Sequence, residues 1–158
     1  MLQSLTESPL FKNRALLGFY LLLGFCFQFP SVAMRYWLME DVGVSPAQMG
    51  AIFGVTTIPW CLKPLYGFIS DSYPLFGFRR RPYMVVMSFL SCFMWIVLPF
   101  VPHDEFVITL VMTMSSIGMS FTDVMADSLL VEVARDESNE NRGIVQSWAW
   151  IMRFVGGL

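Results

Sequence analysis

The sequence predicts an all-α membrane protein, and three observations predict it. Of 158 residues, 56% are hydrophobic and only 14% charged, against about 25% charged in a soluble domain. The apolar residues fall into five runs near 15–38, 47–69, 83–101, 106–131 and 143–158, and a hydrocarbon core takes roughly 20 apolar residues per helix. Lysine and arginine keep to alternate joints between these runs, the pattern of a chain threaded back and forth through a bilayer.

Residues 1–14 are polar and read as a cytoplasmic N-terminal segment, with Lys12 and Arg14 ahead of the first run. The first run imitates a signal peptide, ending in Ser31-Val32-Ala33. Its apolar pattern continues to Leu38, where a mature terminus should turn polar, so it is read as a span. Pro30 removes a backbone donor and should interrupt and kink it. Ser45-Pro46 reads as an N-cap and first-turn proline for the second span. In that span Gly50 and Gly54 lie four apart on one face, which allows another helix to approach closely.

The stretch from Lys63 to Pro82 closes the second span, turns through Gly67, Pro74 and Gly77, presents Arg79, Arg80 and Arg81, and opens the third on a proline. Arginines are retained on the cytoplasmic side, so this loop sets the orientation. The N-terminus and the loop carrying Arg135 and Arg142 then also fall inside, and the outer joints 40–46 and 102–105 contain no lysine or arginine. The third span has no charged residue and is expected to face lipid. The fifth stops at Leu158, so it is expected to be incomplete.

Four charged residues fall within spans: Lys63, Asp123, Asp127 and Arg153. A charge at the bilayer centre costs at least about 2.5–3.5 kcal/mol, so such residues need partners or a polar cavity. At 1.5 Å per residue, Lys63 and Asp123 each lie roughly 7–8 Å to the cytoplasmic side of the midplane and Arg153 near it. They are expected to reach one another. Asp123 and Asp127 share a helix face with Ser116 and Ser120. Two carboxylates so placed repel when both are ionised, which favours holding a proton, the chemistry of a proton-coupled carrier. The competing reading is that each neutralises a basic neighbour and holds the bundle together. Glu132 points away from Asp123 and is read as pairing with loop arginines. Arg35 reads as snorkelling to the headgroups. Tyr36, Trp37, Tyr73, Tyr83 and Trp148 read as an interfacial aromatic belt, and the deeper Trp60 and Trp150 as helix packing rather than a stacking platform for a flat ring.

Several classes are excluded. Cys26, Cys61 and Cys92 are far apart within apolar runs, with no metal or redox spacing, and read as small buried apolar residues. His103 alone reads as a surface residue, and no basic face suggests nucleic acid. No cofactor is implied.

Gly67-Phe-Ile-Ser-Asp71, followed by Gly77 and Arg79-Arg80, resembles the loop between the second and third helices of the major facilitator superfamily, with three extra residues between Asp71 and Gly77 and one between Gly77 and Arg79. The fuller pattern from Lys63-Pro64 through Gly67, Ser70-Asp71, Pro74 and Gly77 to Arg79-Arg80-Arg81-Pro82-Tyr83 resembles the folate–biopterin transporter family. Asp123-Val124-x-x-Asp127 with Glu132, then Gln146-Ser147, Trp150, Arg153 and Gly156-Gly157, is similar to that family's next signature. The resemblance covers residues 15–158, a partial N-terminal transmembrane bundle holding five of twelve expected spans. It implies a multi-pass carrier in the lipid bilayer for a small-molecule substrate, folate or a pterin, driven by protons. It also implies a gating role for Gly67, Asp71, Gly77, Arg79, Arg80 and Arg81, and a place in the transport path or its charge network for Lys63, Asp123, Asp127 and Arg153.

Two other classes compete. A truncated, non-transporting membrane scaffold, or the product of an incomplete gene model, shares the apolar helices and differs in lacking further spans. A membrane-embedded aspartyl enzyme needs two aspartates facing each other from different helices, whereas both candidates here lie on one, so the chain is read as no enzyme.

Overall fold

The computed structural model describes residues 13–75, 77, 80–136 and 139–158, the side chains at 136 and 139–142 excepted. Residues 1–12 of the expected N-terminal segment 1–14, Arg79 and the Arg142 side chain lie outside these described residues. The chain is all-α: α1 Arg14–Glu40, α2 Pro46–Cys61, α3 Lys63–Ser72, α4 Arg81–Val97 continued by a 3-10 turn Leu98–Phe100, α5 Glu105–Asp136 and α6 Asn139–Gly156. Three of these, α1, α4 with its 3-10 turn, and α5, are long and apolar enough to cross a membrane, and α2 with α3 makes a fourth if the bent pair is one span. This is a multi-pass membrane protein. The fifth expected span corresponds to α6, which does not join that set.

Local chemistry places the ends. Ser45 accepts from the Gln48 N–H while the Gln48 side chain accepts from the Ser45 N–H, a capping box with Pro46 in the first turn. Asp104 Oδ1 accepts from the N–H groups of Phe106 and Val107, at 2.9 and 3.1 Å, and so caps α5. Glu105 in its first turn and Arg135 in its last complement the helix dipole.

Four expectations are corrected. Helix α1 runs unbroken through Pro30. The interruption falls instead in the second span, bent by 41° between Cys61 and Lys63; Pro59 and Pro64 flank it, each withholding a ladder donor. Gly50 and Gly54 meet nothing that a Cβ would touch, because spacing on a face permits a close approach without supplying the second helix. The cysteines are exposed rather than buried, since the outside of a membrane helix is as apolar as its inside. Tyr83 is a core residue, 7% exposed, and its hydroxyl donates to the Tyr73 carbonyl at 2.7 Å.

The chain divides into two units. The first comprises Met1–Ala33 and Ala126–Leu158. Here α1 and α6 meet backbone to backbone: a Cβ on Gly24 would stand 1.9 Å from the Arg153 carbonyl oxygen, and one on Gly156 would stand 2.0 Å from that of Leu21. Leu17, Tyr20, Leu23, Val145 and Ala149 are buried in this unit. The second, Met34–Met125, holds two apolar clusters, one around Leu38, Ile52, Leu98 and Ile108, the other around Tyr66, Tyr83, Phe121 and Met125. Within it α4 and α5 pack closely, a Cβ on Gly118 falling 2.6 Å from the Met87 carbonyl oxygen. Ser91 and Ser115 share a hydrogen bond of 3.0 Å in that seam. Over its most apolar stretch 17% of the residues of α4 are buried, against 44% for α5.

Candidate functional site

The break in the second span places one charged pair. Lys63 is the first residue of α3, and its Nζ donates to Asp123 Oδ2 at 2.6 Å. The side chain of Asp123 is 1% exposed and that of Lys63 33%, so the carboxylate is enclosed while the lysine side chain stays partly open. Trp60, in the last turn of α2, presents its ring to the same ammonium at 4.7 Å, within cation–π range. Further along this seam, Ser116 Oγ donates to the Thr56 carbonyl at 2.6 Å. A charge taken from water at this depth is compensated only by such partners.

Asp127 has a different environment from Asp123. In the first unit, the wholly buried Tyr20 donates its hydroxyl to Asp127 Oδ1 at 2.7 Å. Sequence reasoning missed Tyr20, and no spacing rule links a phenol on α1 to a carboxylate 107 positions later. Arg153 lies over the Trp150 ring at 5.5 Å. Trp60 with Lys63 and Trp150 with Arg153 are therefore the same device, a ring one helical turn before a cation. The i, i+3 spacing was a signal for both. Glu132 is exposed, and Arg35 lies over the Phe53 ring at 5.8 Å.

Of the expected gating residues described, Gly67 and Asp71 lie on α3, Gly77 and Arg80 between the two helices, and Arg81 at the start of α4. Asp71 and Arg80 approach to 3.6 Å, with Asp71 55% exposed. Gly77 adopts φ +79°, a left-handed conformation that favours glycine. Gly67 sits on α3 with room for a Cβ in ordinary contact with Val124, and Arg81 opens α4, exposed. Above this loop Tyr66, Phe121 and Tyr83 stack face to face, with centroid separations of 4.8 and 5.4 Å. The Tyr66 hydroxyl is buried without a hydrogen-bond partner.

A cleft of about 590 Å³ opens at the N-terminal ends of α2 and α5, lined by Gln48, Ile52, His103, Asp104, Glu105 and Thr109 among others. None of Lys63, Asp123, Asp127 and Arg153 lines it, and Gln48 bonds Glu105 across it. His103 packs edge-on to Trp37. Among the described residues no group of three or more His, Cys, Asp or Glu side chains could hold a metal ion.

Comparison with known proteins adds what geometry alone does not. The BT1 family model matches residues 23–158. The folate-biopterin transporter of Synechocystis sp. is 34% identical over 154 residues, covering 98% of this chain and 31% of that protein. Probable folate-biopterin transporter 7 of Arabidopsis thaliana is 28% identical over 153 residues, 92% of this chain and 34% of that protein. Folate transporter 1 of Plasmodium falciparum is 31% identical over 107 residues, 67% of this chain and 21% of that protein. The chain thus spans about a third or less of the length of these relatives. No solved structure matches.

Proposed function

The chain belongs to the BT1 family, and from that premise we propose that it is the N-terminal part of a major facilitator-type carrier that takes up folate, biopterin or a related pterin together with protons. The named relatives are transporters, and the reading is of a carrier rather than an enzyme. In this proposal residues 15–158 form five of twelve spans, with α6 the fifth, and residues 1–14 lie on the cytoplasmic side. The absence of lysine and arginine from joints 40–46 and 102–105 supports that orientation.

The observation that carries the reading is the Lys63–Asp123 pair at the break of the second span. Discontinuous helices are where carriers of this kind assemble substrate and ion sites. A substrate anion approaching the open side of Lys63 competes with Asp123 for the ammonium. The carboxylate it displaces is enclosed, and in this proposal a proton enters with the anion to balance its charge. Anion entry and proton entry are then two halves of one exchange. Asp127 and Arg153 belong to the surrounding charge network, and Asp71 with Arg79, Arg80 and Arg81 to the gate, held by Gly67 and Gly77.

The test is uptake of labelled folate by cells expressing the complete coding sequence, with external pH varied. Asp123→Asn is expected to abolish accumulation. Unchanged proton-driven uptake in that variant removes Asp123 from the mechanism.

A further inference from the structure

We propose that Trp60 is a specificity-determining residue: its ring holds the Lys63 ammonium ready for an anionic group, so that the site prefers carboxylate-bearing substrates to uncharged ones built on the same heterocycle. This rests on the transport reading above and adds to it the residue that sets charge preference.

The argument starts from what a ring face can and cannot do. An ammonium has three donors. Asp123 takes one at 2.6 Å. The Trp60 ring attracts the charge through its quadrupole at 4.7 Å but offers no lone pair in its plane, so it restrains Lys63 without competing as an acceptor for the remaining donors. The two partners also differ in how they can be exchanged. Asp123 is enclosed at 1% exposure while Lys63 is one-third exposed, so an incoming anion meets the lysine first. When it takes over the hydrogen bond from Asp123, the ring is the contact that does not change, and the ammonium stays where the anion needs it. Without the ring, a flexible four-carbon stem has to be ordered by the substrate itself, which lowers affinity.

The position of Trp60 supports the same role. It lies one turn before Lys63, across the 41° bend, so the ring and the cation sit on either side of the joint. An uncharged pteridine has no group that competes for an ammonium at comparable strength, and loss of the ring costs it less.

The experiment compares uptake of folate, which carries carboxylates, with that of biopterin, which carries none, by protein expressed from its complete coding sequence and normalised to its abundance in the membrane. Trp60→Ala is expected to raise KM for folate about tenfold with Vmax largely kept, and to raise the ratio of folate KM to biopterin KM by a similar factor. Trp60→Phe, which keeps a weaker ring, is expected to fall between. A purely packing role for Trp60 moves both substrates together, so an unchanged KM ratio in Trp60→Ala overturns the proposal. If Trp60→Ala does not reach the membrane, Trp60→Phe against Trp60→Leu carries the same comparison, and equal ratios in those two overturn it. Transport of neither substrate by the unsubstituted protein overturns the transport reading itself, a result distinct from either of these.

Discussion

Gly24→Ala should destabilise the protein while Gly50→Ala stabilises it, although both glycines lie inside apolar helices. A Cβ on Gly24 would stand 1.9 Å from the Arg153 carbonyl oxygen and 2.9 Å from its carbonyl carbon. Real Cβ contacts essentially never fall below 3.0 Å, so α1 and α6 must separate by roughly 1 Å. Overpacking costs about 1–3 kcal/mol, and because backbone rather than a side chain has to yield, the upper end applies. Alanine returns about 0.5–1 kcal/mol through its helix propensity, leaving roughly 2 kcal/mol of net destabilisation. At about 2–4 °C per kcal/mol for a chain of this size, the apparent Tm falls by roughly 4–8 °C. Gly50 has nothing within 4 Å of an added Cβ, so only the propensity gain remains, and Tm rises by roughly 1–4 °C. Gly156→Ala meets the Leu21 carbonyl oxygen at 2.0 Å and should behave as Gly24→Ala does. The double variant should lose less than the sum, since one substitution has already parted the backbones. Thermal unfolding in detergent, read by loss of monodisperse protein, is the assay. A Gly24→Ala protein no less stable than Gly50→Ala refutes the close-approach argument.

Three further outcomes are expected. Lys63→Met should cost about 3 kcal/mol by taking the cation from the enclosed Asp123, whereas Lys63→Met with Asp123→Leu should recover most of it; thermal unfolding of the four proteins of the cycle checks this, and additive losses refute the pairing. Tyr66→Phe removes a buried hydroxyl without a partner and should be neutral or stabilise by about 1 kcal/mol, while Tyr83→Phe loses the bond to the Tyr73 carbonyl and should cost about 0.5–1.5 kcal/mol. Equal effects in the same assay contradict both assignments. Asp71→Asn should leave stability within about 1 kcal/mol, because the Arg80 contact is long and half in the open, yet should strongly reduce uptake if the loop gates. Full uptake removes Asp71 from the gate.

The spans were legible because hydrophobicity is additive along the chain: runs at 15–38, 83–101 and 106–131 lie within or overlap helices α1, α4 with its 3-10 turn, and α5 to within a few residues. The end signals were legible too, since Ser45-Pro46 acts through its own backbone. What sequence did not show is what needs a second helix. Gly50-x-x-x-Gly54 has the close-approach spacing without an approach, while Gly24 and Gly156, 132 positions apart, meet backbone on backbone. The break at Leu62 was written in Pro59 and Pro64, and was hidden because hydropathy does not register a lost hydrogen bond. Depth arithmetic brought Lys63 and Asp123 to one level, and the structure joins them. The same arithmetic has no term for a phenol, and Tyr20 went unread.

Those two carboxylates bear on how one helix serves two purposes. Asp123 and Asp127 are one turn apart on α5, and like charges so placed repel. The structure gives Asp123 a cation and Asp127 a hydroxyl donor, and the two partners respond differently to an incoming anion. A partly open lysine side chain can be drawn away by a competing carboxylate. A wholly buried phenol is held by packing and cannot follow. On the proposed transport reading, substrate disturbs Asp123 and leaves Asp127 in place, with the exchange step at the former and a constant local field at the latter. Tyr20→Phe and Asp123→Asn separate the two roles. The first should lower uptake at every external pH alike, having weakened a fixed contact, whereas the second should abolish accumulation and leave only a residual equilibration that does not depend on pH. A Tyr20→Phe protein with a flattened pH profile reverses the assignment.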